Sequence, residues 1–272
     1  MKETNAPRFF VDPGSIKDGL ARITGPDVVH ITRVLRLGAG STVVVLDGRG
    51  RSYEAEIQSS GRDEVVCGII KELMTAPACP VKVTLVQGIP KGDKMDIIIQ
   101  KGTELGVSRV IPLICRRAVV KLEGERMSRK VERWQRIALE AAKQCRRPDV
   151  PEVSEPAELD GVLAGLPEQC VALIPWEEEN TVSLKDILYN NNAVVEIYVF
   201  IGPEGGFTPA EVEQARSAGV RPVTLGPRIL RTETAGIAVL TMVLCRWGDL
   251  GGMVNDKEEG GGIHPGMQGQ PV

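Results

Sequence analysis

The chain has 272 residues, 42% apolar and 25% charged, the profile of a globular protein long enough for two ordinary domains or one large one. Its longest apolar stretch, AGIAVLTMVLC from Ala235 to Cys245, falls far short of the roughly 18 to 20 residues that cross a bilayer. The start MKETNAPRFFVDPG lacks a charged head followed by an apolar run, so neither a membrane span nor a secretory signal is expected, and the expected compartment is the cytoplasm.

Six cysteines, at 67, 79, 115, 145, 170 and 245, form no C-x-x-C pair and stand away from histidine. Buried free thiols are expected rather than zinc or disulfides. With only two histidines, His30 and His264, a catalytic pair of imidazoles is excluded. The net charge of −3 is segregated: residues 1–80 balance, residues 81–150 carry 16 Lys+Arg against 8 Asp+Glu, and residues 151–272 carry 7 against 18. Such asymmetry points to one local basic surface on an otherwise acidic protein.

The first 75 residues read as a small β domain with one helix. GPDVVHITRVLRLGAG places Val28, Ile31, Val34 and Leu35 at helical spacing with glycines after the last turn. STVVVLDGRGRSYEAEIQ is a β-branched run, a turn at Asp47 and Gly48, then alternation, and EVVCGII is a further strand. TAPACP, Thr75 to Pro80, has two prolines within four residues and reads as a linker.

From Val81 strands and helices alternate. VKVTLVQGI, VSRVIPLI, CVALIPW, VVEIYVFIG and RPVTLG read as strands. GDKMDIIIQKGTELG, SRKVERWQRIALEAAKQCRR, SLKDILYN, TPAEVEQARSAG and RTETAGIAVLTMVLCRWG read as helices. TPAEVEQARSAG carries its own start and stop, with Thr208 as N-cap, Pro209 at the first helical position, Glu211 completing a capping box and Gly219 at the end. This order predicts a mostly parallel sheet covered by helices. From Gly251 the chain is glycine-rich and aperiodic, and disorder is expected over 251–272.

Two strands end in glycine turns, IGPEGGF at Ile201 to Phe207 and LGPRILRTETA at Leu225 to Ala235. Ligands of open α/β sheets sit outside the carboxyl ends of the strands, so both turns should face one crevice, where bare backbone lets a flat ligand approach. The turn is neither G-x-G-x-x-G with an acid about twenty residues on nor a P-loop, which disfavours a pyrophosphate. An adenosine held by backbone groups, with an acid such as Glu204 beside a cation, fits better and describes S-adenosylmethionine.

IGPEGGF and LGPRILRTETA, with IPKGDKMDIIIQKGTELGV and RWQRIALEAAKQCRR, resemble the RsmE-type 16S rRNA uridine-N3 methyltransferases of the SPOUT superfamily. RFFV and HITRVLRLGAG resemble that family's PUA-like domain. Asp93, Asp96 and Gly102 stand where Glu, Glu and Ala are expected; a glycine inside a helix costs about 0.5 to 1 kcal/mol relative to alanine. The resemblance implies a PUA-like RNA-binding domain over 1–75 and a methyltransferase domain over 76–250 whose sheet carries a deep trefoil knot. It implies S-adenosylmethionine as cofactor and no metal, a homodimer in which ILRTETAGIAVLTMVL packs on a partner, and 16S rRNA or the small ribosomal subunit as substrate, with the methyl group placed on N3 of uridine 1498.

Carried onto this sequence, the cofactor cleft comprises Leu173, Ile174 and Pro175 of LIPWEE, Ile201, Gly202, Pro203, Glu204, Gly205 and Gly206, and Leu225, Gly226, Ile229, Leu230, Arg231, Thr234 and Ala235. Arg8, His30, Arg33, Arg36, Lys91, Lys94, Arg116, Arg117, Arg133, Arg146 and Arg147 are the expected RNA contacts, with His30, Arg33 and Arg36 three apart on one helical face. N3 must lose its proton, and Arg231 is the candidate to stabilise the charge left on O2 or O4. Glu204 is a proton acceptor or a cofactor contact. The alternatives are an RNA-binding assembly factor without turnover and a nucleotide-dependent metabolic enzyme. The intact glycine turns weigh against the first, and the missing phosphate fingerprints against the second.

Overall fold

The computed structural model describes residues 6–74, 79–117, 124–191 and 194–252. The expected linker at 75–80 and the expected disorder over 251–272 lie, except for residues 79, 80, 251 and 252, outside the described residues.

The amino-terminal strands β1 (Arg8–Phe10), β2 (Ile16–Lys17), β3 (Leu20–Thr24), β4 (Thr42–Leu46), β5 (Ser52–Ser60) and β6 (Glu64–Leu73) form one sheet in the order β1-β4-β5-β6-β3-β2. It encloses Phe9, Ile23, Val28, Ile31, Val43, Val45, Ala55 and Ile57. The expected turn after β4 is held by Asp47, whose Oδ1 accepts the N–H groups of Arg49 at 2.8 Å and Arg51 at 3.0 Å. The single helix expected before β4 is instead a short α1 (Pro26–Val29) running into a π turn over His30–Val34, where the Leu35 N–H bonds the His30 carbonyl at 2.9 Å. The wider turn keeps Val28 and Ile31 buried but spoils the three-residue spacing. Arg36 has left the helix at φ 53° and does not share one face with His30 and Arg33.

The second sheet is wholly parallel: β7 (Lys82–Gly88), β8 (Arg109–Ile114), β9 (Glu152–Val153), β10 (Ala157–Glu158), β11 (Val171–Pro175), β12 (Glu196–Ile201) and β13 (Arg221–Val223). Its order is β10-β8-β7-β12-β11-β13, with β9 also on β8. Alternate strand residues feed two cores. Leu85, Ile197, Val199, Ile201 and Leu173 face a layer made by α2 (Lys94–Leu105), α3 (Glu125–Cys145), α5 (Leu184–Asn190) and α7 (Thr232–Trp247). Val86, Tyr198, Phe200 and Ile174 face α4 (Leu159–Ala164) and α6 (Pro209–Ser217). Burial on both faces is why these strands read as nearly continuous apolar runs.

The basic helix α3 also bonds the first domain. Lys143 reaches both carboxylate oxygens of Asp27 at 3.3 Å, and backbone bonds join Val150 to Gly48 and Gly50 to Pro148. Arg147, expected on RNA, is a staple instead. Its guanidinium bonds the carbonyls of Thr103 and Val107, both at 2.9 Å, and Asp149 at 2.6 Å, tying the end of α3 to the end of α2. Helix carbonyls left over at a C-terminus need such donors.

The capping box at the start of α6 is present and does more than cap. Glu211, 3% exposed, accepts the N–H and hydroxyl of Thr208 at 2.8 and 2.7 Å, and its other oxygen accepts the Arg116 N–H at 2.9 Å. Burial pushes its carboxyl up, but these donors outweigh burial and leave the pKa below the ordinary carboxylate value. Glu211→Ala is expected to lower the unfolding free energy by about 1–3 kcal/mol in urea at neutral pH. Because the folded pKa is depressed, the contribution holds above the unfolded value of about 4.3 and fades as pH falls through the folded one, so the gap to Glu211→Gln should close in acid.

Candidate active site

All four strands β7, β12, β11 and β13 end on the same edge of the sheet, and a cleft of about 700 Å³ opens there, within the size range of small-molecule sites. Its walls are three loops: residues 175–180 after β11, 201–207 after β12 and 224–232 after β13. The third loop must cross from the edge strand β13 back to α7, which packs over β7 and β12. On the way Thr224 bonds Val182 at 2.9 Å and Leu184 at 3.1 Å, so the third loop is joined to the stretch that leads from the first loop into α5.

The glycines of the second loop serve its own folding. A Cβ on Gly202 would stand 3.1 Å from the backbone of Gly206, and one on Gly88 would stand 2.6 Å from Pro203 Cδ. Only bare backbone lets the turn close on itself and sit down on β7. Gly205, expected in the cleft, faces outward: a Cβ there would meet the Arg117 Cβ at 3.2 Å, and the Arg117 guanidinium bonds the Gly205 carbonyl at 2.9 Å. Gly226 is different. It has φ +102° with no atom within 4 Å of a built Cβ, leaving open a space that a side chain would fill. Beside it Ile229 is 89% exposed, an apolar wall suited to a flat apolar ligand face.

Charges at the cleft are mostly paired. Glu204 accepts the Lys91 N–H at 3.1 Å and the Lys94 ammonium at 2.9 Å, and Lys94 also lies 3.7 Å from Glu233. Burial pushes the Glu204 carboxyl up, but Lys94 and the backbone N–H donors outweigh it and hold the group ionised below the ordinary carboxylate range. The Glu204 hydrogen bond in turn raises the Lys94 ammonium. Glu179 is lowered by the Thr181 hydroxyl and the N–H groups of Thr181 and Val182. Arg231 is the N-cap residue of α7 and exposed at the rim; among the described residues its guanidinium has no hydrogen bond or ion pair. Glu177 likewise has no hydrogen bond among the described residues.

Of the expected cleft residues, Pro175, Ile201, Gly202, Pro203, Glu204, Gly206, Leu225, Gly226, Ile229, Leu230, Arg231 and Ala235 line it. Leu173 and Ile174 do not. Both are fully buried, on opposite faces of the sheet, because the chain leaves the sheet only at Pro175. Thr234 also misses, for it lies on the exposed side of α7 while Arg231 and Ala235, four apart, share the inner side. Trp176, Glu177, Glu179, Asn180, Phe207, Thr224 and Thr232 line the cleft without having been singled out as site residues, and Lys94, expected on RNA, lines it too. Of the other basic residues, Arg133 pairs with Asp96 and Asp93, and Arg117 holds the glycine turn. The Arg116 N–H is taken by Glu211. His30, Arg33, Arg36, Lys91, Arg116 and Arg146 are exposed, and Arg8 is partly so.

A family model described as an RNA methyltransferase domain matches residues 77–244, and one described as an RNA methyltransferase PUA domain matches residues 23–70. Ribosomal RNA small subunit methyltransferase E of Bacillus subtilis is 36% identical over 225 residues, 81% of this chain and 88% of its own. This chain belongs to the ribosomal RNA small subunit methyltransferase E family. The family member from Neisseria gonorrhoeae, solved bound to S-adenosyl methionine, superposes with a TM-score of 0.79 at 32% identity, covering 90% of this chain and all of that one. A methyltransferase structure from Legionella pneumophila with bound cofactor SAM gives 0.80 at 31%, covering 91% and 100%. The fold is thus that of SPOUT methyltransferases behind a PUA-like domain.

Within this family's cleft, the pairing of Glu204 makes its own prediction. Lys94→Met should let the Glu204 pKa climb towards or above the ordinary value, read by carbon NMR titration of labelled glutamate. An unmoved titration would mean that the backbone N–H groups alone hold it.

Proposed function

We propose that the protein transfers a methyl group from S-adenosylmethionine to N3 of a uridine in small-subunit ribosomal RNA, uridine 1498 of the 16S rRNA, in the cytoplasm. The observation that carries this reading is an Arg231 guanidinium, unpaired among the described residues, at the rim of a cleft with bare backbone in one wall at Gly226. The residues present suit the cofactor. Gly226 and the loop 224–230 would take the adenine against backbone, Ile229 and Leu225 would cover its faces, and Glu177 is the carboxylate left available to a positive group. When bound, the cofactor supplies an electrophilic methyl group on a positive sulfur.

The chain's own task is the base. Uracil N3 gives up its proton to water at the open mouth of the cleft as it attacks, and the negative charge spreads onto O2 and O4. Arg231 stands where such charge would be met, at the N-terminus of α7, whose unpaired N–H groups add partial positive charge. Lys94 is a poorer candidate, since Glu204 and Glu233 already neutralise it. Glu204, with its oxygens committed to Lys91 and Lys94, serves better as the organiser of Lys94 than as a proton acceptor. N3 is hidden in a paired base, so the target has to be single-stranded or flipped out.

In this reading residues 1–75 bind RNA and residues 76–250 carry out transfer, with the trefoil knot formed where the third loop passes the first. Arg8, His30, Arg33, Arg36, Lys91, Arg116 and Arg146 are the basic residues we assign to phosphate contacts. The protein works as a homodimer through the uncharged outer side of α7, Thr234, Ala238, Thr241, Met242 and Cys245, beside the half-exposed Ile97 of α2.

Nucleoside mass spectrometry of small-subunit RNA incubated with the protein should show 3-methyluridine; methylation of any other base sinks the assignment. Arg231→Ala should slow transfer at least about tenfold with donor affinity nearly unchanged, since the charge it meets exists only as the reaction proceeds. Gly226→Val should weaken donor binding at least about tenfold by calorimetry, because the side chain fills the open space beside that wall and φ +102° suits no β-branched residue.

A further inference from the structure

Among the described residues, the buried side-chain polar atoms with no hydrogen-bond partner are Gln87 Oε1, Trp176 Nε1 and Glu233 Oε2. All belong to residues in the cleft wall or just behind it. Gln87 is the most informative, being 0% exposed in the interior of the methyltransferase sheet.

Its amide Nε2 donates to the Gly88 carbonyl at 3.0 Å and to the Thr232 hydroxyl at 2.9 Å. The Thr232 hydroxyl then donates to the Gly202 carbonyl at 2.6 Å. Carbonyls stand at both ends and can only accept, so the direction of every hydrogen in the chain is determined. The same logic leaves Oε1 idle. A buried amide with an unused acceptor is a poor device for stability, since replacing polar partners by apolar groups of like shape is often neutral. It is a good device for placement. One hydroxyl joins the end of β7, the glycine turn after β12 and the start of α7, segments up to 145 residues apart in the chain.

Arg231 is the neighbour of that hydroxyl. As N-cap of α7 it has extended backbone, φ −64° and ψ 152°, its side chain makes no capping bond, and its carbonyl accepts the Ala235 N–H at 2.8 Å. Among the described residues nothing bonds its side chain, so its position is inherited from Thr232 on one side and the first turn of the helix on the other. We propose that Gln87 is a positioning residue which, through Thr232, sets Arg231 against the Gly202 turn, and that this relay decides how well the guanidinium meets charge on the target base. The inference rests on the reading of Arg231 given above.

The test is a double-mutant cycle on the full-length protein, with single-turnover transfer of labelled methyl from saturating S-adenosylmethionine to undermethylated small-subunit RNA. Gln87→Leu and Thr232→Val, each alone, should slow transfer about fivefold or more while donor affinity by calorimetry moves less than about twofold, a split that loss of folding does not produce. Thr232→Ser, which keeps the hydroxyl, should restore most of the rate. In an Arg231→Ala background neither change should cost more than about a further twofold, because residues acting as a unit are non-additive. Full rate in Arg231→Ala overturns the reading of Arg231 and the relay with it. A slow Arg231→Ala with fully additive further losses overturns the relay alone. So does donor affinity falling in step with rate. If Gln87→Leu does not fold, the contrast between Thr232→Ser and Thr232→Val decides.

Discussion

Every strand of the second sheet runs the same way, and the consequences of that one constraint reach the whole site. Parallel strands deliver their carboxyl ends, and the loops that follow, to a single edge. The order β7-β12-β11-β13 then puts the last strand two places from β12 and three from β7, the strands on which α7 must lie. The connection from Thr224 to Arg231 has to recross the edge, and in doing so it becomes a wall rather than a simple turn. A cleft is left between it and the loops of the neighbouring strands. The glycines at 88 and 202 permit the close approach this needs, because a Cβ at either would enter the opposing backbone or ring.

Electrostatics divide labour within the cleft. Lys94 and Glu204 neutralise each other, with Glu233 nearby, and so fix the geometry of one wall without offering net charge to a ligand. Such partly exposed pairs add little stability; their effect here is on ionisation and orientation. Arg231 keeps its charge uncompensated at the rim. A cation that is already paired gains little when negative charge develops nearby, whereas an unpaired one, held at a helix N-terminus, gains the full interaction at the moment of reaction.

The basic middle of the sequence serves two masters. Part of its charge is spent internally: Arg147 staples α3 to α2, Arg133 pairs across to α2, and Lys143 reaches Asp27 in the first domain. The remainder is exposed on both domains. The bonds through Asp27, Gly48 and Gly50 make α3 and the segment that follows it, to Val150, the strut between the sheet that carries the cleft and the domain that carries His30, Arg33 and Arg36. A substrate spanning both would be gripped by a connected frame.

The local signals were legible in the sequence. The longer strands and helices from Val81 onward, the capping box at Thr208 and Glu211, the turn at Asp47 and the two glycine loops all follow from patterns a few residues long. What escaped was short or irregular: β1 to β3, β9, β10, α4, and the π turn that displaces Arg36, none of which has a periodic stretch long enough to announce itself. The residues lining the cleft were legible where the loop backbone itself forms the wall, as at Gly202, Gly226 and Leu230, and misplaced where burial or facing decided, as at Leu173, Ile174, Gly205 and Thr234. Residue type and spacing determine the elements because dihedral preference and side-chain period act over neighbours. Which arginine is spent on a carbonyl, which carboxylate is tied to a lysine 110 residues away, and which glycine faces a cleft were settled only by tertiary structure, because the partners that settle them meet only when distant segments pack.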